Sequence, residues 1–327
     1  MNTDFSTLYE EHSYFMRCQV PDVMVPYLFE IMMVLHQQKP GCRLTVLAAD
    51  MRIVIKYLDA LQLNYYILFK KRTTDSYLQY AISTRDKLIQ TERVYIYVAI
   101  SRSDAYLIFK TDAIKGNYEE VGRLLGYPSC CIASATASDI VTVDPGSGTK
   151  RQRNLCTVAI RCSDRLDYRC NNIIAASNLS QHYPTNIISH YPCNYGCRAT
   201  IAYADQCLSL IKRLYSWYYP LLEEFLQYDI IYWSDELLDA HNIGEFNAIA
   251  VNGGRYDPIK KLLTGIQQCI NVSSNYFMQN SIFLDVTEVL FTTTGIIIQG
   301  NKTTTTIAHD PNIHLLNWKK QQVIMLT

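Results

Sequence analysis

The run "RVYIYVAI" (93–100) is β-branched or aromatic at almost every position, which makes it the clearest strand in the chain. Working outward from it, "NYYILFK" (64–70) reads as a second strand and "YLQYAIS" (77–83) as a weaker one. Before these, "MRIVIKYLDALQ" (51–62) places Ile53, Val54, Tyr57, Leu58 and Leu61 at helical spacing. Further upstream, "RLTVLAA" (43–49) is strand-like and follows Pro40-Gly41, while a helix is predicted over 25–37. This alternation of strands and helices describes an α/β layer portion over residues 1–115.

Downstream the pattern turns helical. In "NYEEVGRLLG" (117–126), Asn117 is placed to cap, Glu119 and Glu120 fall in the first turn, and Gly126 stands where a helix end favours glycine. Pro128 can open the next helix, "PSCCIASATAS", because its missing N–H costs nothing there. "VDPGSGTKRQRN" (143–154) reads as an exposed loop and "CTVAIRC" (156–162) as a strand. A long helical stretch is predicted from Pro192, broken or kinked at Pro220. These residues make up a mainly helical portion, 116–240. Beyond it, β-branched runs around Gly300-Asn301 signal a hairpin, and residues 241–327 are expected to be β-containing. The fold class is therefore α/β in the broad, α+β sense.

The 327 residues are 49% hydrophobic and 18% charged, enough apolar material for a substantial core. Thirty Lys and Arg balance thirty Asp and Glu, which argues against a dedicated nucleic-acid binder. The first residues, "MNTDFSTLYEEHSYF", lack the basic and apolar regions of a signal peptide. No apolar run is long enough for a membrane helix. In "VPYLFEIMMVLHQQ" (25–38), Glu30 and His36 favour a core helix. A cytoplasmic location is expected, where eleven cysteines would stay reduced and clustered ones would point to metal or redox chemistry.

Two stretches rhyme: "GYPSCC" (126–131) and "HYPCNYGC" (190–197). Both pairs, Cys130 with Cys131 and Cys193 with Cys197, are predicted to lie in the first turn of a helix that begins at a proline. There the unpaired N–H groups favour thiolate, the form that ligates metal or attacks an electrophile. On a helix, Cys193 and Cys197 would share one face at i, i+4 spacing. Four cysteines in two pairs give the ligand count of a zinc site or an iron–sulfur cluster. His190, three residues before Cys193, is an alternative metal ligand or an acid/base, and His182 is a second alternative. A vicinal Cys130–Cys131 disulfide is a further possibility. Cys18, Cys42, Cys156, Cys162, Cys170, Cys207 and Cys269, taken singly, read as small buried apolar residues.

"EEVGRLLGYPSCC" (119–131) and "HYPCNYGCRAT" (190–200) resemble the uncharacterised archaeal and bacterial proteins of domain-of-unknown-function family 483. Those proteins share Gly-Tyr-Pro-x-Cys-Cys and His-x-Pro-Cys-x-x-x-Cys motifs. The resemblance spans residues 90–215 and makes Gly126, Tyr127, Pro128, Cys130, Cys131, His190, Pro192, Cys193 and Cys197 the signature positions. Thr200 stands where serine is expected, and no reaction is implied. The cobalamin-free epoxyqueuosine reductases offer a looser analogy, joining a vicinal Cys-Cys to a second pair around an iron–sulfur cluster.

Basic residues gather between the motifs: Lys150, Arg151, Arg153, Arg161, Arg165 and Arg169. Arg198, directly after Cys197, could hold a substrate carboxylate or phosphate, and Arg123 and Tyr127 flank the first motif as cofactor-binding candidates. Asp235, Glu236 and Asp239 read as a helix start, His309 and His314 lack an evident partner, and "GGRYDP" (253–258) reads as a turn. The leading reading is a metal-dependent enzyme, iron–sulfur or zinc, acting on a small molecule by redox or sulfur-handling chemistry. Cys131, His190 and Arg198 would be its catalytic residues. The alternatives are an interaction protein with a structural zinc, and a metal-free thiol enzyme. Substrate, reaction and oligomeric state are not legible.

Overall fold

The computed structural model describes residues 20–70, 93–137, 159–160, 162–173, 184–233, 247–257, 259–271, 286–292, 295–300, 304–308 and 313–325. The strand expected at 77–83, the loop at 143–154, His182 and the acids at 235–239 lie outside them. The chain forms two compact units, Met1–Thr136 with Ser180–Ile187, and Ala137–Leu179 with Ile188–Thr327. Among the described residues, its mixed α/β character is expressed in helices and three antiparallel sheets.

The first unit is organised around the strand within "RVYIYVAI". Strand β3 (Arg93–Ala99) lies between β1 (Gly41–Leu47) and β2 (Asn64–Lys70), antiparallel to both. Since β1 and β2 are joined through helix α2 (Met51–Ala60), this is a split β-α-β unit with the hairpin partner inserted between the two parallel strands. Val94, Ile96 and Val98 are fully buried, and so is Tyr97 on the opposite face. Burial on both faces explains why every position from Val94 to Ala99 is apolar or aromatic. Tyr97 packs in a cluster with Leu68 of β2, Ile108 of helix α3 (Arg102–Phe109), Val121 of helix α4 (Tyr118–Leu124) and Leu125 just after it. Truncating a buried aliphatic such as Ile96 to Ala would cost about 2–5 kcal/mol.

Polar contacts fix the helices. Ser101 Oγ accepts from the Asp104 N–H at the start of α3. The helix continues as a π-helical turn, Lys110–Lys115, whose Asp112 accepts from Arg43 Nη1 at 2.7 Å and from the Tyr97 hydroxyl at 2.9 Å. Helix α1 (Leu28–Leu35) is preceded by a 3-10 turn, Asp22–Tyr27, where a single helix was expected; Pro26 sits inside that turn. At the end of α1, Lys39 and Glu30 form a buried ion pair of 2.5 Å.

In the second unit, α6 (Arg198–Leu214) and α7 (Tyr219–Leu226) are separated at 215–218, and Pro220 occupies the first turn of α7. The expected break is therefore present, with the proline opening the new helix. Two five-stranded antiparallel sheets follow. One has the order β13-β12-β4-β5-β8 and the other β11-β10-β9-β7-β6. The first contains β4 (Asp229–Trp233), β5 (Asn247–Asn252), β8 (Gln268–Asn271), β12 (Ile313–Asn317) and β13 (Gln322–Met325). The second contains β6 (Arg255–Asp257), β7 (Leu262–Thr264), β9 (Val286–Thr292), β10 (Gly295–Gly300) and β11 (Thr304–Ala308). Ile231, Val251 and Leu315 of one sheet share a core with Leu263, Val289, Phe291, Ile296 and Ile298 of the other, the packing of a β-sandwich. Strands β10 and β11 form the hairpin expected around Gly300-Asn301.

Two segments differ locally from what their sequence suggests. The described residues of "CTVAIRC" are helical at 159–160 and a turn at 162, where a strand was expected. In "GGRYDP" the chain bends at Gly253, but Arg255–Asp257 forms β6.

Candidate metal centre

The first motif is built by a helix ending. At the end of α4 the Tyr127 N–H donates to the Gly122 carbonyl, and the Gly126 N–H donates to that of Arg123, both at 2.9 Å. These are the two bonds of a Schellman motif, with Gly126 at the left-handed position, φ 73°. A Cβ on Gly126 would also stand 2.9 Å from Pro40 Cδ. The turn then rests on the neighbouring residue, since the Lys39 ammonium lies 5.2 Å from the centre of the Tyr127 ring. Helix α5 (Ser129–Ala137) begins immediately after Pro128, whose carbonyl accepts from the N–H groups of Cys131 and Ile132 at 3.0 Å each. Cys130 and Cys131 therefore occupy the first turn, as the sequence predicts. Cys130 is exposed and Cys131 buried.

The second motif departs from its predicted form. Residues 193–196 make bends and a turn, and α6 begins only at Arg198 with Cys197 as its N-cap. Cys193 and Cys197 thus do not share a helical face. The reason lies in the residues between them. Asn194 Oδ1 accepts from the Gly196 N–H at 2.9 Å, an Asx-turn that competes with helix. A Cβ on Gly196 would meet the Arg165 carbonyl at 2.8 Å. The turn is anchored through Tyr195, which is fully buried. Its N–H donates to Ser163 Oγ at 2.7 Å, its carbonyl accepts from Asp167 at 2.8 Å, and its ring meets Trp318 edge-on at 5.3 Å. Asp167 is in turn held by Arg169, which also pairs with Asp205. Burial pushes the Asp167 carboxyl up, but the hydrogen bonds and charge of Arg169 outweigh it and hold the group below its ordinary value.

The four sulfurs of Cys130, Cys131, Cys193 and Cys197 all lie within 4.8 Å of one another. The Sγ atoms of Cys130 and Cys131 are 3.9 Å apart, about twice a disulfide bond length of roughly 2.05 Å, so the two are not joined by a disulfide. A zinc–thiolate bond of about 2.3 Å gives a tetrahedron with S···S edges of roughly 3.8 Å. The vicinal pair already has that bite, and the remaining separations are within a side-chain adjustment of it. The donor set therefore fits a metal ion. The Asn194 amide donates to Cys193 Sγ at 3.6 Å, a bond of the kind that orients ligating sulfur.

The other predicted residues are placed as follows. His190 is buried and stands outside the four-sulfur group; its Nε2 is 3.0 Å from Thr200 Oγ1 and its ring meets Tyr203 edge-on. The hydroxyl that engages it is one that serine would also offer. Arg198 is exposed in the first turn of α6. Arg123 is paired along its own helix with Glu119, and with Glu120 at 3.2 Å. Tyr127 is half-buried beneath Lys39. Of the cysteines read as buried, Cys42, Cys170 and Cys207 are so, but Cys162 is exposed in a turn. Cys170 was not singled out by any motif, yet its Sγ lies 3.9 Å from the Cys197 carbonyl oxygen. Burial, with help from Asp167, pushes its thiol far above the ordinary range, so it is a neutral donor supporting the Cys197 turn. No sequence spacing marks it. Among the described residues, no helix is long and apolar enough to cross a membrane. No protein-family model, curated protein or solved structure matches the chain.

Proposed function

We propose that this chain is a zinc protein, holding one ion on the thiolates of Cys130, Cys131, Cys193 and Cys197 as a structural centre. The observation that carries this reading is the closeness of the four sulfurs, all within 4.8 Å. A cluster interposes several irons and sulfides, so thiolates on different irons must stand farther apart than the edges of a one-ion tetrahedron. Four thiolates also leave a zinc ion no open position for a substrate, which is the arrangement of structural sites. The segment 184–197 has no helix or strand, and such a segment gains most from a metal that binds only its folded form. The two motifs that supply the ligands resemble those of family 483, a likeness that supports reading them as one site.

A second reading, an enzyme with reactive thiolates acting on a small molecule, draws on the exposure of Cys130 and the half-exposure of Cys193, with Arg198 exposed after Cys197 as an anion anchor. One experiment separates the readings. Elemental analysis of purified protein should find one zinc per chain, lost in Cys193→Ser and Cys130→Ser but retained in His190→Ala. Iron with inorganic sulfide and a broad brown absorbance would overturn the zinc reading in favour of a cluster. Unchanged metal in Cys193→Ser would remove Cys193 from the ligand set. Protein that is fully folded without metal would favour the thiol enzyme.

A further inference from the structure

The four ligand residues of the proposed zinc centre are not equally sheltered. Cys130 is exposed and Cys193 half-buried, whereas Cys131 and Cys197 are only 3% and 6% exposed. Oxidants select cysteines that are both thiolate and accessible to solvent. Metal coordination keeps sulfur in the thiolate form. Cys130, in the first turn of α5, is therefore where a small peroxide first meets the centre.

An oxidised sulfur then needs a second thiolate within reach. All three other sulfurs lie within 4.8 Å, so the backbone decides among them. Cys131 follows Cys130 directly in the same helix. Adjacent Cα atoms stand about 3.8 Å apart, below the roughly 4.4–6.8 Å that disulfides span. Cys197 is held as the N-cap of α6, and its carbonyl accepts from the Cys170 thiol. Cys193 stands at a bend in the segment 184–197, which has no helix or strand. It is the partner free to close the gap to a bond of roughly 2.05 Å.

We infer that the centre is a redox switch: hydrogen peroxide oxidises Cys130, Cys193 resolves it, and the Cys130–Cys193 disulfide expels the zinc. This inference rests on the zinc reading above. The Cys130 thiolate attacks one peroxide oxygen, the O–O bond breaks, and hydroxide leaves a sulfenic acid behind. The Cys193 thiolate then attacks that sulfur, the S–O bond breaks, and a second hydroxide departs. Two protons from solvent convert both hydroxides to water. The two sulfurs have lost two electrons and the peroxide has gained them. Zinc, left with Cys131 and Cys197 alone, falls short of its four-coordinate set and passes to solvent as the divalent ion. A dithiol reverses the disulfide by exchange.

The test is hydrogen peroxide added to the zinc-loaded full chain, followed with a zinc-sensitive dye and by peptide mass mapping without reductant. Each oxidised chain should release its zinc and show Cys130–Cys193 as the new cross-link. Dithiothreitol with added zinc should restore the centre. Cys162→Ser, which removes an exposed thiol outside the centre, should behave as the parent. Zinc retained under excess peroxide would overturn the switch and leave the zinc reading standing. So would a Cys130–Cys131 bond, any cross-link that omits Cys193, Cys130 carried to sulfinic acid without a disulfide, or release that depends on Cys162. Purified protein that holds no zinc would fail the zinc reading itself, and the switch with it.

Discussion

Asp229, the first residue of β4, is buried, and its Oδ2 accepts from Asn317 Nδ2 at 3.2 Å. It sets up a stability test that does not depend on the cysteine centre. Burial pushes its carboxyl up from 3.8 to about 7, although Lys319, the Trp318 N–H and Lys320 all pull the other way. A rise of about three pH units at roughly 1.4 kcal/mol each amounts to about 4 kcal/mol. The sign follows from proton counting. Between pH 3.8 and about 7 the folded chain holds a proton that the unfolded chain has released. Stability therefore falls as pH rises through that window, and the full loss is in place above it. Asp229→Asn keeps the shape, lets the amide oxygen accept from Asn317, and removes the charge. The variant should be more stable than the parent at pH 8 by about 4 kcal/mol, and its advantage should shrink by about 3 kcal/mol at pH 5. Urea melts of both proteins at the two pH values measure this directly, and comparing their difference cancels groups common to both. A variant no more stable at pH 8 than at pH 5, relative to the parent, would refute the claim that burial dominates at this carboxyl.

The buried pair of Lys39 and Glu30 gives a second expectation: Lys39→Met alone should cost about 3–5 kcal/mol by stranding the carboxylate, while Lys39→Met with Glu30→Met should recover most of it in denaturant melts. Gly126→Ala should destabilise by about 1–2 kcal/mol, because φ 73° is unfavourable for any side chain, and Gly126→Asn should be milder. Thiol labelling read by mass spectrometry should find Cys162 reactive and Cys42, Cys170 and Cys207 protected in the native protein. Chelation should unmask Cys130 and Cys193, and labelling of Cys130 that ignores chelator would contradict a metal on that sulfur. Arg169→Ala should leave the buried Asp167 carboxylate with the backbone N–H of residue 169 but without its guanidinium partner, and weaken the Tyr195 turn. Zinc affinity followed with a competing chelator should then fall several-fold, while an Arg123→Ala variant should not change it.

How much of this was legible in the sequence depends on how local the governing physics was. Strand β3 announced itself because burial on both faces calls for apolar or aromatic residues from Val94 to Ala99. The end of α4 was equally readable, since Asn117 and Gly126 act through bonds to backbone within a few residues, and Asn117 Oδ1 does accept from the Glu120 N–H. Asp229 was invisible for the opposite reason. Its burial depends on Asn317, eighty-eight residues away on an adjacent strand, and a lone acid at a strand start looks like any solvated one. Cys170 is another such case: only the fold sets it beside the Cys197 carbonyl.

The second cysteine motif shows where pattern and conformation part. Pro192 invited a helix, and a helix would have given Cys193 and Cys197 a common face. Between them, however, lie Asn194 and Gly196, whose side-chain-to-backbone bond and bare Cα make a turn more stable than a helical start. Tyr195 then ties that turn into the core through both of its backbone polar groups. The sulfurs still converge, because a turn reverses the chain within the same number of residues that one helical turn spans. What the four cysteines need from the sequence is proximity within each pair, and both a helix start and an Asx-turn provide it. Replacing Asn194 with Ala would separate the two solutions. If the turn matters, metal affinity should fall even though helix propensity between the two cysteines rises, whereas a site that merely needed i, i+4 spacing would bind more tightly.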